Sequence, residues 1–159
     1  MKKLLVSICI LLSLQAISQT TPCDSIPSLN KEIIKYVDTK LHKKVGNGEC
    51  WTLAAEALNT VNAKWDGQFT FGDEVNWEKE CIYPGDIIQF KNVTVKYKDG
   101  NTIITEKMPQ HTAIIYEVKG EGDFVLANQN VGGKKKVVLT PLDMKNITKG
   151  KYHIYRPVN

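Results

Sequence analysis

The hydrophobic period changes once along this chain, at Pro84-Gly85, and that change most narrows the folds open to it. Before it, apolar residues recur at helical spacing; after it, they alternate as in strands between short turns. Residues 28–41 put Leu29, Ile33, Ile34, Val37 and Leu41 on one helical face, with Ser28 as a plausible N-cap. Gly46 and Gly48 around Asn47 then mark a tight loop. A second helix follows over 50–63, with Cys50, Ala54, Ala57 and Val61 on a stripe that Leu53 and Leu58 broaden. Residues 64–79 have no period and read as a long loop with one short strand around 68–71. Strands are expected at 87–90, 93–97, 102–106, 112–118, 124–130, 135–139 and 152–155. Asp99-Gly100-Asn101 and Gly132-Gly133 supply hairpin turns. Helices first and strands afterwards, with no internal repeat, is an α+β pattern, with N-terminal helices packed on an antiparallel sheet of five to six strands.

The chain opens with two lysines, an apolar run over 4–14 and the small-x-small triplet Ala16-Ile17-Ser18. This is the pattern of a secretory signal peptide over 1–18, followed by a polar leader over 19–27 and one domain over 28–159. The apolar run is shorter than the roughly 20 residues that span a bilayer, and no stable membrane insertion is expected. Cys9 follows Ile8, where lipid attachment wants a small residue. The expected product is therefore secreted or periplasmic. About 140 residues are enough for one domain with a sizeable core. The formal charge is +4, and the two signal lysines account for half of it, leaving +2. That balance argues against nucleic acid as a partner and gives no strong overall field for acidic polymers.

Cysteine usage is more informative. Cys9 leaves with the signal segment, so Cys23, Cys50 and Cys81 remain, an odd number in an oxidising compartment. Cys23 and Cys81 both lie in loop-like contexts, TTPCDSIP and KECIYPGD, and are expected to pair. Cys50 is then the thiol left over. It follows Gly46-Asn47-Gly48-Glu49 and stands at the first turn of a helix. Unpaired N–H groups and the helix dipole at that place favour thiolate over thiol. The same N–H groups can donate to an oxyanion formed beside the sulfur.

A thiolate nucleophile needs an imidazole to manage its proton. His42 ends the first helix in a charged run, and His153 lies in the last strand between Tyr152 and Tyr155. His111 opens the strand HTAIIYEV after the loop KMPQ, where it can face a helix N-terminus, and is the candidate base. The base in turn needs an orienting partner. In FVLANQN, Asn128 and Asn130 share one face and Gln129 takes the other, so periodicity alone leaves both asparagines open. Lys134-Lys135-Lys136 reads as a solvated turn, and Trp51 as core. No CxxC, HExxH or phosphate loop occurs, and neither a metal nor a cofactor is expected.

The motifs GNGECW at a helix start, YPGDIIQF, HTAIIYEV and VLANQN, in this order, resemble the CHAP and NlpC-type branch of papain-like cysteine hydrolases. GNGECWTLA and NQNVGG are most similar to a cysteine-proteinase-fold domain at the end of some fungal actin-patch adaptor proteins. The resemblance spans residue 43 to the C-terminus. It implies Cys50 as nucleophile, His111 as base and Asn128 as orienter, with Asn130 as the alternative. Asn128 falls where many CHAP members carry glutamate. Asn47 and Trp51 are implied as oxyanion contributors. For a secreted member the implied reaction is cleavage of an amide or peptide bond in peptidoglycan by a monomer. A narrow-specificity protease and a catalytically weak papain-fold binding module are the alternatives.

Overall fold

The computed structural model describes Cys23 and residues 25–159; the expected signal segment and most of the leader lie outside the described residues. Two helices come first, α1 (Ser28–Lys40) and α2 (Cys50–Thr60). Six strands follow: β1 (Asp73–Val75), β2 (Ile87–Asp99), β3 (Thr102–Gly120), β4 (Asp123–Asn128), β5 (Val138–Asp143) and β6 (Ile147–Arg156). A 3-10 turn at Met144–Asn146 joins the last two. The strands form one sheet in the order β1-β6-β2-β3-β4-β5, with every neighbouring pair antiparallel. The α+β expectation and its strand count therefore agree with the architecture.

Several local expectations are corrected. Ser28 is the first helical residue rather than the cap; Pro27 precedes it, and its carbonyl accepts from Lys31 N–H at 3.1 Å. Proline's fixed φ suits a helix entry without any side-chain cap. The short strand expected at 68–71 lies instead at Asp73–Val75, held by β6. The separate strands expected at 87–90 and 93–97 are one 13-residue strand, and those at 102–106 and 112–118 are one of 19 residues. KMPQ is thus strand, not loop. What interrupts the apolar pattern is a bend shared by three strands at one level. Asn92 takes a left-handed φ of 53°, the ladder skips Pro109 opposite it, and the β6 register shifts between Lys151 and Lys149. Gly150 makes the bend possible, since its φ is 102° and a Cβ there would lie 2.4 Å from the Asn92 carbonyl oxygen. Glycine alone adopts that conformation at so close an approach.

Period-two alternation gives the sheet two buried faces. Ile87, Ile114, Ala127 and Tyr155 pack against Ile33, Val37, Leu53, Ala54, Ala57 and Leu58 of the helices. Ile88, Phe90, Val93, Ala113, Ile115, Phe124, Leu126 and Ile154 form a second core on the other face. The alanines on α2 are what let that helix lie close to the sheet.

The Pro84-Gly85-Asp86 segment joins the helical and strand parts. Asp86 is fully buried. Its carboxylate accepts from Asn30 Nδ2 (2.8 Å), Arg156 Nη2 (2.8 Å), Arg156 Nε (3.2 Å) and Tyr83 N–H (2.9 Å). Burial raises its pKa above the usual carboxylate value, against the opposing pull of Arg156, Tyr83 and Asn30. Gly85 has φ 91°, and a Cβ would lie 2.6 Å from the Asn30 carbonyl. Nearby, Cys23 and Cys81 form a disulfide with Cα atoms 5.6 Å apart, which ties the segment before α1 to the loop before β2. Arg156 Nη2 also donates to the Cys81 carbonyl.

Candidate active site

Cys50 is the first residue of α2 and the free thiol among the described cysteines. The loop before it is fixed from two sides. Asn47 Oδ1 accepts from Glu49 N–H at 2.9 Å and from the Thr52 hydroxyl at 2.7 Å, which anchors the loop to the helix's first turn. Gln129, wholly buried, takes Val45 N–H on its Oε1 at 2.7 Å and donates from Nε2 to the carbonyls of Val45 and Glu49, both at 3.0 Å. These three hydrogen bonds satisfy the buried amide and hold the backbone up to the residue before the thiol. The sequence gives Gln129 a face but no role; only the fold shows that it crosses from β4 to the loop.

His111 lies on β3 opposite Phe90 of β2, with the two rings stacked at 6.2 Å. It is 9% exposed. Its Nε2 is 2.9 Å from Asn128 Oδ1, and the imidazole lies close enough to the Cys50 thiol for each to shift the other's pKa. Asn128 is buried at the end of β4; its Nδ2 donates to the Leu126 carbonyl (3.0 Å) and the Thr140 hydroxyl (2.7 Å). Those two acceptors fix the amide so that its oxygen points at the imidazole. Asn130 is placed otherwise: its Nδ2 donates to Glu49 Oε2 at 2.8 Å. Asn130 and Lys135, which pairs with the same carboxylate, tie the β4–β5 loop to the residue before Cys50. His42 sits exposed after α1, and His153 pairs with Glu74 at 2.7 Å.

The electrostatics favour an ion pair. Burial pushes the Cys50 thiol up, but His111 and the backbone N–H groups of Thr112 and Trp51 outweigh it, so the thiol pKa falls below its ordinary value. Burial pulls His111 down, but the hydrogen bonds to Cys50 and Asn128 and the sulfur's charge raise it above the usual imidazole value. Shifts in opposite directions stabilise thiolate beside imidazolium, the state a cysteine nucleophile attacks from. Trp51 is 37% exposed rather than core, because its position next to Cys50 turns it outward from the helix–sheet contact. Its backbone N–H, not its ring, reaches the sulfur. Asn47 presents an acceptor to its own loop. Among the described residues no three His, Cys, Asp or Glu side chains converge as a metal site would require.

A cleft of about 850 Å³ opens on Cys50 and His111. One wall is β3 over 106–111, where β4 no longer covers it, since the β3–β4 ladder reaches back only to Ile114 and Ala127. The other is formed by Asn128, Thr140 and Pro141 on the β4–β5 side.

Comparison with known proteins matches this architecture to a family. The model described as "AIM3/BBC1 Cysteine proteinase-fold domain" matches residues 27–159. Altered inheritance of mitochondria protein 3 of Debaryomyces hansenii is 28% identical over 144 residues, which is 79% of this chain and 15% of that protein. The chain thus spans about a seventh of that relative's length. Two crystal structures of Ly7917, one with the hydrolyzing product of MDP, are 19% identical with a TM-score of 0.48; the match covers 80% of this chain and 62% of theirs. The helix-borne cysteine, the following antiparallel sheet and the match over residues 27–159 agree: this chain belongs to the AIM3/BBC1 cysteine proteinase-fold domain family, papain-like in its α+β architecture.

Proposed function

We propose that this domain is a cysteine hydrolase of the CHAP and NlpC type that cleaves an amide or peptide bond with Cys50, His111 and Asn128. The observation that carries the reading is the position of His111, which lines one cleft with Cys50, lies close enough to the thiol for each to shift the other's pKa, and stands 2.9 Å from the Asn128 amide oxygen. The Cys50 thiolate attacks the carbonyl carbon, and the C=O pair moves onto oxygen. That oxyanion is met by N–H groups at the start of α2, of which Trp51's already approaches the sulfur. As the tetrahedral intermediate collapses, the C–N bond breaks and imidazolium His111 gives its proton to the leaving amine. A thioester on Cys50 remains. Neutral His111 then takes a proton from water, hydroxide adds to the thioester, and collapse releases the acid and the thiolate. Asn128 holds the ring's orientation and tautomer throughout.

The substrate class that fits best is peptidoglycan, cut by an endopeptidase or amidase reaction, after export directed by residues 1–18. The Cys23–Cys81 disulfide supports an oxidising destination. A narrow-specificity protease would use the same residues. The reading as a binding module without turnover is favoured by one observation: the third position holds an amide, which stabilises imidazolium less than a carboxylate does. Incubation of wild type and Cys50→Ala with purified cell walls and with casein tests the proposal. Release of new amino groups by wild type alone supports it; identical, flat time courses on both substrates reject the enzyme and leave the binding module.

A further inference from the structure

At the shared bend and beyond it, β2, β3 and β6 carry one face that no other element among the described residues covers. The register identifies its members. Lys91 pairs with Gln110 and with Lys151, Thr94 with Lys107 and Lys149, Lys96 with Thr105, and Lys98 with Ile103. Val93, Val95 and Met108 point the other way, into the second core. Glu106 opposite Val95, and Tyr97 opposite Ile104, share that other side. Six lysines thus stand on one exposed sheet face whose register positions include no carboxylate. None of the six takes part in an ion pair among the described residues. A modest overall charge conceals this segregation. A solvated surface without a partner ordinarily interleaves both signs.

We infer that this lysine face docks the protein on an anionic lipid surface. Charge complementarity selects a polyanion, and two further features select a membrane. The face is the open side of a sheet ribbon that carries no aromatic side chain at these positions, so it offers no stacking platform for nucleic acid bases. At its outer end Ile103, 73% exposed, lies across from Lys98 next to the hairpin turn. An aliphatic residue beside clustered lysines supplies the second of the two signals that reversible membrane binding needs, acyl-layer contact added to attraction for acidic headgroups. The catalytic cleft is lined by Val95, Leu126 and Leu142 from the other side of the sheet, with Lys98 and Lys107 reaching its rim. Four of the six lysines, Lys91, Lys96, Lys149 and Lys151, do not line the cleft, so docking through them does not require covering it. The inference is independent of whether Cys50 turns over a substrate.

The test is co-sedimentation of the protein with phosphatidylcholine vesicles, with and without phosphatidylglycerol, at low and at physiological salt. Wild type is expected to bind only the vesicles containing phosphatidylglycerol, and less at higher salt. The triple variant Lys96→Glu, Lys149→Glu, Lys151→Glu should bind at least about 30-fold more weakly. A control with the same charge change elsewhere, Lys31→Glu, Lys119→Glu, Lys145→Glu, should stay within about threefold of wild type. Ile103→Asp should weaken the part of the binding that survives added salt. Melting curves check folding, and if either triple variant is unfolded the matching glutamine set carries the same comparison. Absence of binding to acidic vesicles, an equal loss in both triple variants, or capture of the face by heparin or DNA without vesicle binding overturns the inference.

Discussion

Two buried polar constellations in this molecule are built from similar parts and behave differently. Asp86 has both carboxylate oxygens saturated by four donors drawn from α1, β6 and its own loop, and is fully buried. Cys50, His111 and Asn128 also draw on a helix and two strands, yet the sulfur lies half-buried at a cleft. The first uses its hydrogen bonds to fasten a helix to a sheet. The second uses them to hold two groups in charged forms that burial alone would oppose. Satisfaction gives stability, and a group left facing solvent space gives reactivity.

Removing the reactive atom should produce the largest separation between the two. Cys50→Ala is expected to lower turnover on the proposed amide substrates by at least about 10⁴-fold. Its unfolding midpoint in urea should match wild type, and a parallel collapse of stability would place Cys50 with the fastening constellation instead. The converse substitution, Asp86→Ala, strands the Arg156 guanidinium and the Asn30 amide. It should cost about 3–5 kcal/mol of unfolding free energy, read by denaturant titration. The fraction that remains folded should still alkylate at Cys50 at the wild-type rate.

A pH titration sharpens the contrast. The depressed Cys50 pKa means that thiolate persists as pH falls below the ordinary thiol range, while the raised His111 pKa keeps imidazolium beside it. Iodoacetamide alkylation of wild type should therefore have its midpoint below that of a free thiol, about 8.5. In His111→Ala burial is opposed only by the Thr112 and Trp51 N–H groups, and the midpoint should move up. An unmoved midpoint would show that the helix terminus alone sets the thiol. The smallest effect belongs to the orienter: Asn128→Ala should lower turnover about 10- to 100-fold, since alignment supports only part of general-base catalysis. Asn130→Ala should do less, because its amide meets Glu49 rather than the imidazole. Reversed effects in the two asparagine variants would move the role two residues along.

The parts legible in the sequence were those that repeat. Helical spacing placed α2 with Cys50 at its first turn, and alternation placed Asn128 and Gln129 on opposite faces. The bend was not legible, because Asn92, Pro109 and Gly150 are far apart in sequence and each looks like an ordinary break. Proline within a run demotes a strand in any sequence-based reading. Here Pro109 lies beyond the last β3–β4 pair, at the margin where a missing N–H costs nothing. Trp51 reads as core in the sequence because a tryptophan at a helix start carries no sign of direction, whereas in the fold it faces outward and is 37% exposed. The Glu49–Asn130–Lys135 tie and the reach of Gln129 carried no sequence signal, since both are contacts between distant segments.

Asn128 and Gln129 are consecutive, yet one steadies the imidazole and the other fastens the loop that presents the thiol. Asn128 ends β4 and Gln129 follows it, so both tasks depend on the strand's alternation carrying one residue past its end. Deleting or inserting one residue within that strand would swap their directions, sending an amide meant for the base toward the loop and the reverse. The turns at either end have no such parity to keep. Lineages of this domain should therefore tolerate a change of length in the turns at 120–122 and 131–134 better than within β4, whose count stays fixed. A library of single-codon indels scored for Cys50 labelling would map that boundary to the residue.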